Sequence, residues 1–99
     1  MPYEIEFAES VKAQLKDLSA RERSQVFDAI EEELVNEPLT STRNRKLLRP
    51  NVLAPWELRL GDLRIFYEVV DEEPNLVRIL AIGKKEGNKL FIGGQEVSL

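Results

Sequence analysis

Between Trp56 and Tyr67 the chain reads WELRLGDLRIFY: apolar and polar residues alternate, stop at Gly61-Asp62, and alternate again. Successive side chains of a strand point to opposite faces. A two-residue Gly-Asp connection supplies the positive φ that a tight hairpin turn demands. Pairing Leu60 with Leu63 fixes the register: Arg59 opposite Arg64, Leu58 opposite Ile65, Glu57 opposite Phe66, Trp56 opposite Tyr67. Facing residues of an antiparallel pair share a side, so Trp56, Leu58, Leu60, Leu63, Ile65 and Tyr67 form a core face. Glu57, Arg59, Arg64, Phe66 and Glu68 form the other. Like charges directly opposite destabilise a strand pair, so the two arginines point to an anion between them. The plainer reading has them bridge Glu57 and Glu68 on a solvated face.

The 99 residues suit one domain, 1–99, with room for a core and none for a second unit. No apolar run approaches the roughly 20 residues of a membrane span, and MPYEIEF lacks the basic and apolar regions of a signal peptide. The expectation is a cytoplasmic protein that makes no membrane contact. Cysteine and histidine are both absent, which removes a thiolate nucleophile, the commonest general base and the commonest metal ligand. Net charge is −4, yet residues 1–40 hold 4 basic and 10 acidic side chains while residues 43–64 hold 6 basic and 2 acidic. A chain so divided can present a basic patch despite its total charge, because salt screens charges beyond about 10 Å at 0.1 M.

Tyr3 to Phe7 alternates as a short strand. Ala8, Val11, Leu15 and Leu18 then take helical spacing. Ser19 followed by Glu22 fits a capping box that opens a second helix, with Val26, Phe27, Ile30 and Leu34 on one stripe and a stop before Pro38. Glu31, Glu32 and Glu33 read as its solvated outer face. Residues 37–55 hold Pro38, Pro50 and Pro55 and read as a long loop, in which Lys46-Leu47-Leu48 is a possible short strand. Asp71 to Asn75 reads as a turn and Leu76 to Ile82 as a buried strand. Lys84 and Lys85 follow Gly83, and the tail 90–99 either adds a short strand or lies across the sheet. The order β-α-α-β-β-β defines an α+β fold, a helical hairpin on one face of a mainly antiparallel sheet. The Arg59/Arg64 face is left open, exposing Phe66 and Leu80.

A strand, a helical hairpin, an aromatic-x-Leu-Arg-x-Gly-Asp-x-Arg-x-x-Tyr hairpin and a strand ending in Gly-basic together resemble the RelE/ParE superfamily. These are toxins of bacterial and archaeal type II toxin–antitoxin pairs. The resemblance runs from Tyr3 to about Lys85. It implies a cognate antitoxin as partner and one of two activities: messenger RNA cleavage, usually on the ribosome, as in RelE-like members, or inhibition of DNA gyrase, as in ParE-like members. Carried over position by position, it marks Arg59, Arg64, Lys84 and Lys85 as candidate catalytic residues. Arg45, Lys46 and Arg49 become candidate RNA contacts. The C-terminal Tyr of many RelE-like members is missing, and Phe91 stands nearest. A third possibility is a weakened toxin that survives as a binding module.

RNA cleavage by this route uses the substrate's own 2′-hydroxyl as nucleophile. The protein must remove its proton, protonate the leaving oxygen and stabilise negative charge on phosphorus. Arginine forks match phosphate oxygens and stay charged, which suits the last task and disqualifies them as bases. Lys84 or Lys85, crowded by other cations, is expected to have a lowered pKa and to exchange protons; Glu57 and Glu68 are alternative bases. Phe66, exposed on the same face, is expected to stack on a base or pack against a partner. No cofactor is expected.

Overall fold

A computed structural model describes residues 2–70 and 75–98. The chain runs β1 (Glu4–Phe7), α1 (Glu9–Lys16), α2 (Ala20–Glu33), β2 (Arg45–Leu47), β3 (Trp56–Leu60), β4 (Leu63–Val70), β5 (Leu76–Glu86), β6 (Lys89–Ile92) and β7 (Gln95–Val97). The strands follow the order β2-β3-β4-β5-β6-β7, with β1 beside β5. All pairings are antiparallel except β1 with β5. The β3–β4 register is the one the alternation implies, from Trp56 opposite Tyr67 to Leu60 opposite Leu63. Gly61 holds φ +58° at the first turn position, a conformation that an L side chain would strain. The turn expected at 71–75 lies, from Asp71 to Pro74, outside the described residues.

Two helices cover one sheet face because their apolar residues recur at helical spacing. Val11 of α1 and Val26, Ala29 and Ile30 of α2, with Leu34 at its end, bury against Leu58, Ile65, Tyr67, Val77 and Ile79. Each such aliphatic side chain contributes roughly 1.5–3 kcal/mol by leaving water. The capping box forms in full: Ser19 Oγ accepts from Glu22 N–H at 3.1 Å, and Glu22 Oε1 accepts from Ser19 N–H at 2.9 Å. Tyr67 stacks on Trp56 with ring centroids 6.0 Å apart and donates its hydroxyl to the Pro38 carbonyl at 2.6 Å. Burial pushes the Tyr67 phenol well above its ordinary pKa. Phe27 departs from the expected stripe. It is 44% exposed and meets Phe7 edge-on at 5.8 Å.

The second sheet face is less open than the sequence implies. Phe66 is fully buried there, in a small core with Ala54, Ala81 and Leu90. Leu48 and Leu53 from the loop before β3, and Ile92 and Val97 from the tail, pack around it, and Leu80 joins them rather than standing exposed. The tail makes this closure possible, for it forms strands β6 and β7. Gly83 permits the close approach of β6: a Cβ there would stand 2.8 Å from Ile92 Cγ1 and 2.9 Å from the Phe91 carbonyl. Phe66 is therefore a core residue and is not available to stack on a base.

Candidate functional site

Strand alternation distributes the candidate residues between the two faces. β5 continues through Gly83 to Glu86 rather than ending at Ile82, so Lys84 and Lys85 are successive strand residues that project oppositely. Lys84 lies on the helix side and donates to Glu22 Oε2 of α2 at 2.8 Å. That hydrogen bond, then the carboxylate's charge, holds the Lys84 ammonium above its ordinary pKa; the Lys84 hydrogen bond, then the Ser19 N–H, holds Glu22 below its own. The expected depression at Lys84 is thus reversed, since its close neighbour is an anion. Phe91, paired opposite Lys84, lies on that same side, lining a cavity of ≈ 490 Å³ with Gln14, Leu18 and Lys84. It points away from the arginines.

Lys85 takes the other direction. Its backbone N–H donates to the Asp62 carbonyl of the hairpin turn at 2.7 Å, which fixes this part of β5 beside Arg59 and Arg64. The same parity divides β2. Arg45 pairs with Leu58 and is buried under the helix side, where Nη1 donates to the carbonyls of Glu33 and Glu37, both at 2.5 Å. Its charge faces Glu33 at 3.7 Å and Glu37 at 3.9 Å, and its Nε is buried without a partner. A cation bound to the last carbonyls of a helix offsets the negative end of the helix dipole. Arg45 therefore braces α2 and is withdrawn from any nucleic acid. Lys46 pairs with Glu57 and is exposed on the second face, and Arg49 is exposed on the loop beyond β2.

The second face thus gathers Lys46, Arg59, Arg64 and Lys85 around Glu57. Arg59 and Arg64 are direct cross-strand partners as expected, and each relieves the repulsion by turning to its own acceptor. Arg59 Nε donates to Glu57 Oε1 at 2.9 Å, while Arg64 Nη1 donates to the carbonyls of Gly61 at 2.6 Å and Leu63 at 2.9 Å. One side of each fork is fixed, which orients the guanidiniums on the face. The Glu57 side chain is only 10% exposed and Arg59 is 44% exposed. Beside them Glu57, Lys85, Asn88, Leu90, Glu96 and Val97 line a cavity of ≈ 300 Å³, where the tail curls over the sheet. Guanidinium forks held in this way match the geometry of phosphate-class anions. The sequence showed Glu57 on this face but carried no sign of its burial; Glu22 was legible only as a cap.

A helical hairpin on a curled sheet, with paired arginines on the uncovered face, defines the class of the small type II toxins. Residues 5–88 match the family described as ParE toxin of the type II toxin–antitoxin system, parDE, and the chain belongs to that family. A crystal structure of the toxin–antitoxin complex RelBE2 from Mycobacterium tuberculosis contains a similar chain, with 28% identity and a TM-score of 0.72. The match covers 86% of this chain and 100% of that one. No curated protein matches the sequence. The chain is thus a type II toxin of the RelE/ParE superfamily. Among the described residues no helix is long and apolar enough to cross a membrane.

Proposed function

We propose that the protein is a RelE-like messenger RNA endoribonuclease, neutralised by its antitoxin, working from the Glu57–Arg59–Arg64–Lys85 face. The observation that carries this reading is the convergence of three cations and one buried carboxylate beside an open cavity. Glu57 accepts the proton of the substrate's 2′-hydroxyl as that oxygen attacks phosphorus. Arg59 and Arg64 bind the charge that accumulates on the non-bridging oxygens, and Lys85 donates a proton to the departing 5′ oxygen. Lys46 and Arg49 hold flanking phosphates, a role that makes affinity fall with salt. Lys84 takes no part, because Glu22 occupies it on the other side of the sheet.

One observation favours a second reading, a ParE-like gyrase inhibitor: Lys84, a candidate for proton transfer, lies on the helix side, and so does Phe91, which stands nearest the place of the missing tyrosine. Expression of the toxin alone, with messenger RNA 5′ ends and gyrase supercoiling followed together, separates the two. New 5′ ends that vanish in Arg64→Ala and persist in Lys84→Ala are expected. Intact RNA with inhibited supercoiling would replace the first reading by the second, and neither effect would leave only a binding module.

A further inference from the structure

The second sheet face carries two opposite charges at its two ends. At the hairpin end stand Lys46, Arg59, Arg64 and Lys85 with Glu57. At the other end Glu6 of β1 and Glu68 of β4 flank Arg78 of β5, and Glu4 stands two residues before Glu6 on the same face. Arg78 Nε donates to Glu6 at 2.9 Å and Nη1 to Glu68 at 3.0 Å. These acceptors, Glu6 first, hold the guanidinium above its ordinary pKa. Two carboxylates on one guanidinium, with Glu4 nearby, leave this end negative. Arg64 and Glu68 are four residues apart on β4, about 13 Å along the strand. Between the ends Leu48, Leu53 and Leu80 border a cavity of ≈ 340 Å³ that Glu68 also lines, and Val52 beside it is 96% exposed.

From this arrangement we infer that the face is a dipolar docking surface for one antitoxin segment: carboxylates over Arg59, Arg64 and Lys85, an apolar side chain at the Leu48–Leu53–Leu80 cavity, and lysine or arginine over Glu6 and Glu68. The inference rests on the toxin reading above and specifies the chemistry of the partner. A nucleic acid satisfies only the hairpin end, because its phosphates are repelled by Glu4, Glu6 and Glu68; a polypeptide can carry both signs. An extended segment places the opposite charges about four residues apart, and a helical one about nine, at 1.5 Å per residue. Occupation of the hairpin end by carboxylates removes the same arginines from RNA, so docking and inhibition become one event.

Two variants test it, with the cognate antitoxin and a single-stranded RNA oligonucleotide as separate probes for each. Glu6→Gln with Glu68→Gln should weaken antitoxin binding about tenfold at low salt, the scale of two partly exposed charge contacts, while RNA binding holds or tightens. The difference should shrink at 0.5 M salt. Arg78→Met, which frees both carboxylates, should tighten antitoxin binding; a merely structural Arg78 would give a loss. Unchanged antitoxin affinity in the double variant, parallel loss of both ligands, or weaker binding by Arg78→Met would each overturn the proposal. An antitoxin that fails to bind the parent protein would instead overturn the toxin reading itself.

Discussion

Arg45 and Lys46 are adjacent in sequence, as are Lys84 and Lys85, and the sheet separates both pairs. Arg45 and Lys84 face the helices, where carboxylates and carbonyls of α2 consume them. Lys46 and Lys85 face the arginine side. The four side chains contribute equally to any count of basic residues, yet only half of them contribute to the face that carries Arg59 and Arg64. The helix side turns cations into structure by giving each an acceptor. The other side leaves them underpaired, offering four cations a single buried carboxylate. Charge density along a sequence therefore says little about a binding face until strand parity is known.

The largest expected effect falls on the helix-side member of the first pair. Arg45→Met removes the donor to the Glu33 carbonyl at the end of α2 and to the Glu37 carbonyl just beyond it, and should cost about 3 kcal/mol in urea unfolding. Lys46→Ala, one residue on, should stay within about 0.5 kcal/mol and instead weaken RNA binding and flatten its salt dependence. Equal destabilisation by the two would break the contrast between the faces. Next comes Gly83→Ala, at about 2 kcal/mol, within the range that overpacking costs. The added methyl would meet the Phe91 carbonyl at 2.9 Å, and backbone cannot swing aside as a side chain does. A neutral result in thermal melts would show that the tail is not seated on β5. Tyr67→Phe should cost about 1 kcal/mol by leaving the Pro38 carbonyl without its buried donor.

The hairpin register, both helices and the capping box were legible because each rests on local chemistry: alternation, a turn glycine, helical spacing, and a Ser and Glu three residues apart. Which of Lys84 and Lys85 faces the arginines was not legible, because the local pattern is silent at the point that decides it. In the apolar run before them, Tyr67 pairs with Ile79 and Phe66 with Ala81, so Leu80 is an extra residue. Such a bulge resets which positions face which side, and Leu80-Ala81-Ile82 gives no sign of it. Phe66 was misread for a different reason. Its cover comes from Ala54 and Leu90, 12 residues before it and 24 after, and no alternation within β4 reports a neighbour that distant. Arg45 likewise acquires its acceptors only when β2 docks under the end of α2.

The subtlest consequence concerns the Glu22–Lys84 bond, and pH isolates it. Glu22 is held below its ordinary value near 4.5, so its contribution is complete above that value and disappears as pH falls through the folded-state pKa. Lys84 is held above its ordinary 10.5, so its contribution is complete below that and disappears as pH rises through the folded-state pKa. The alkaline limb is confounded, because the raised pKa of buried Tyr67 also drains stability there. The acid limb is the informative one. Glu22→Gln should flatten it, whereas Lys84→Met should reduce it only in part, since the Ser19 N–H still favours the Glu22 carboxylate. Unfolding midpoints measured between pH 3 and 7 distinguish these slopes. If Lys84→Met leaves the acid limb unchanged, then Lys84 does not reside on Glu22 in solution, and strand register alone places it on the helix side.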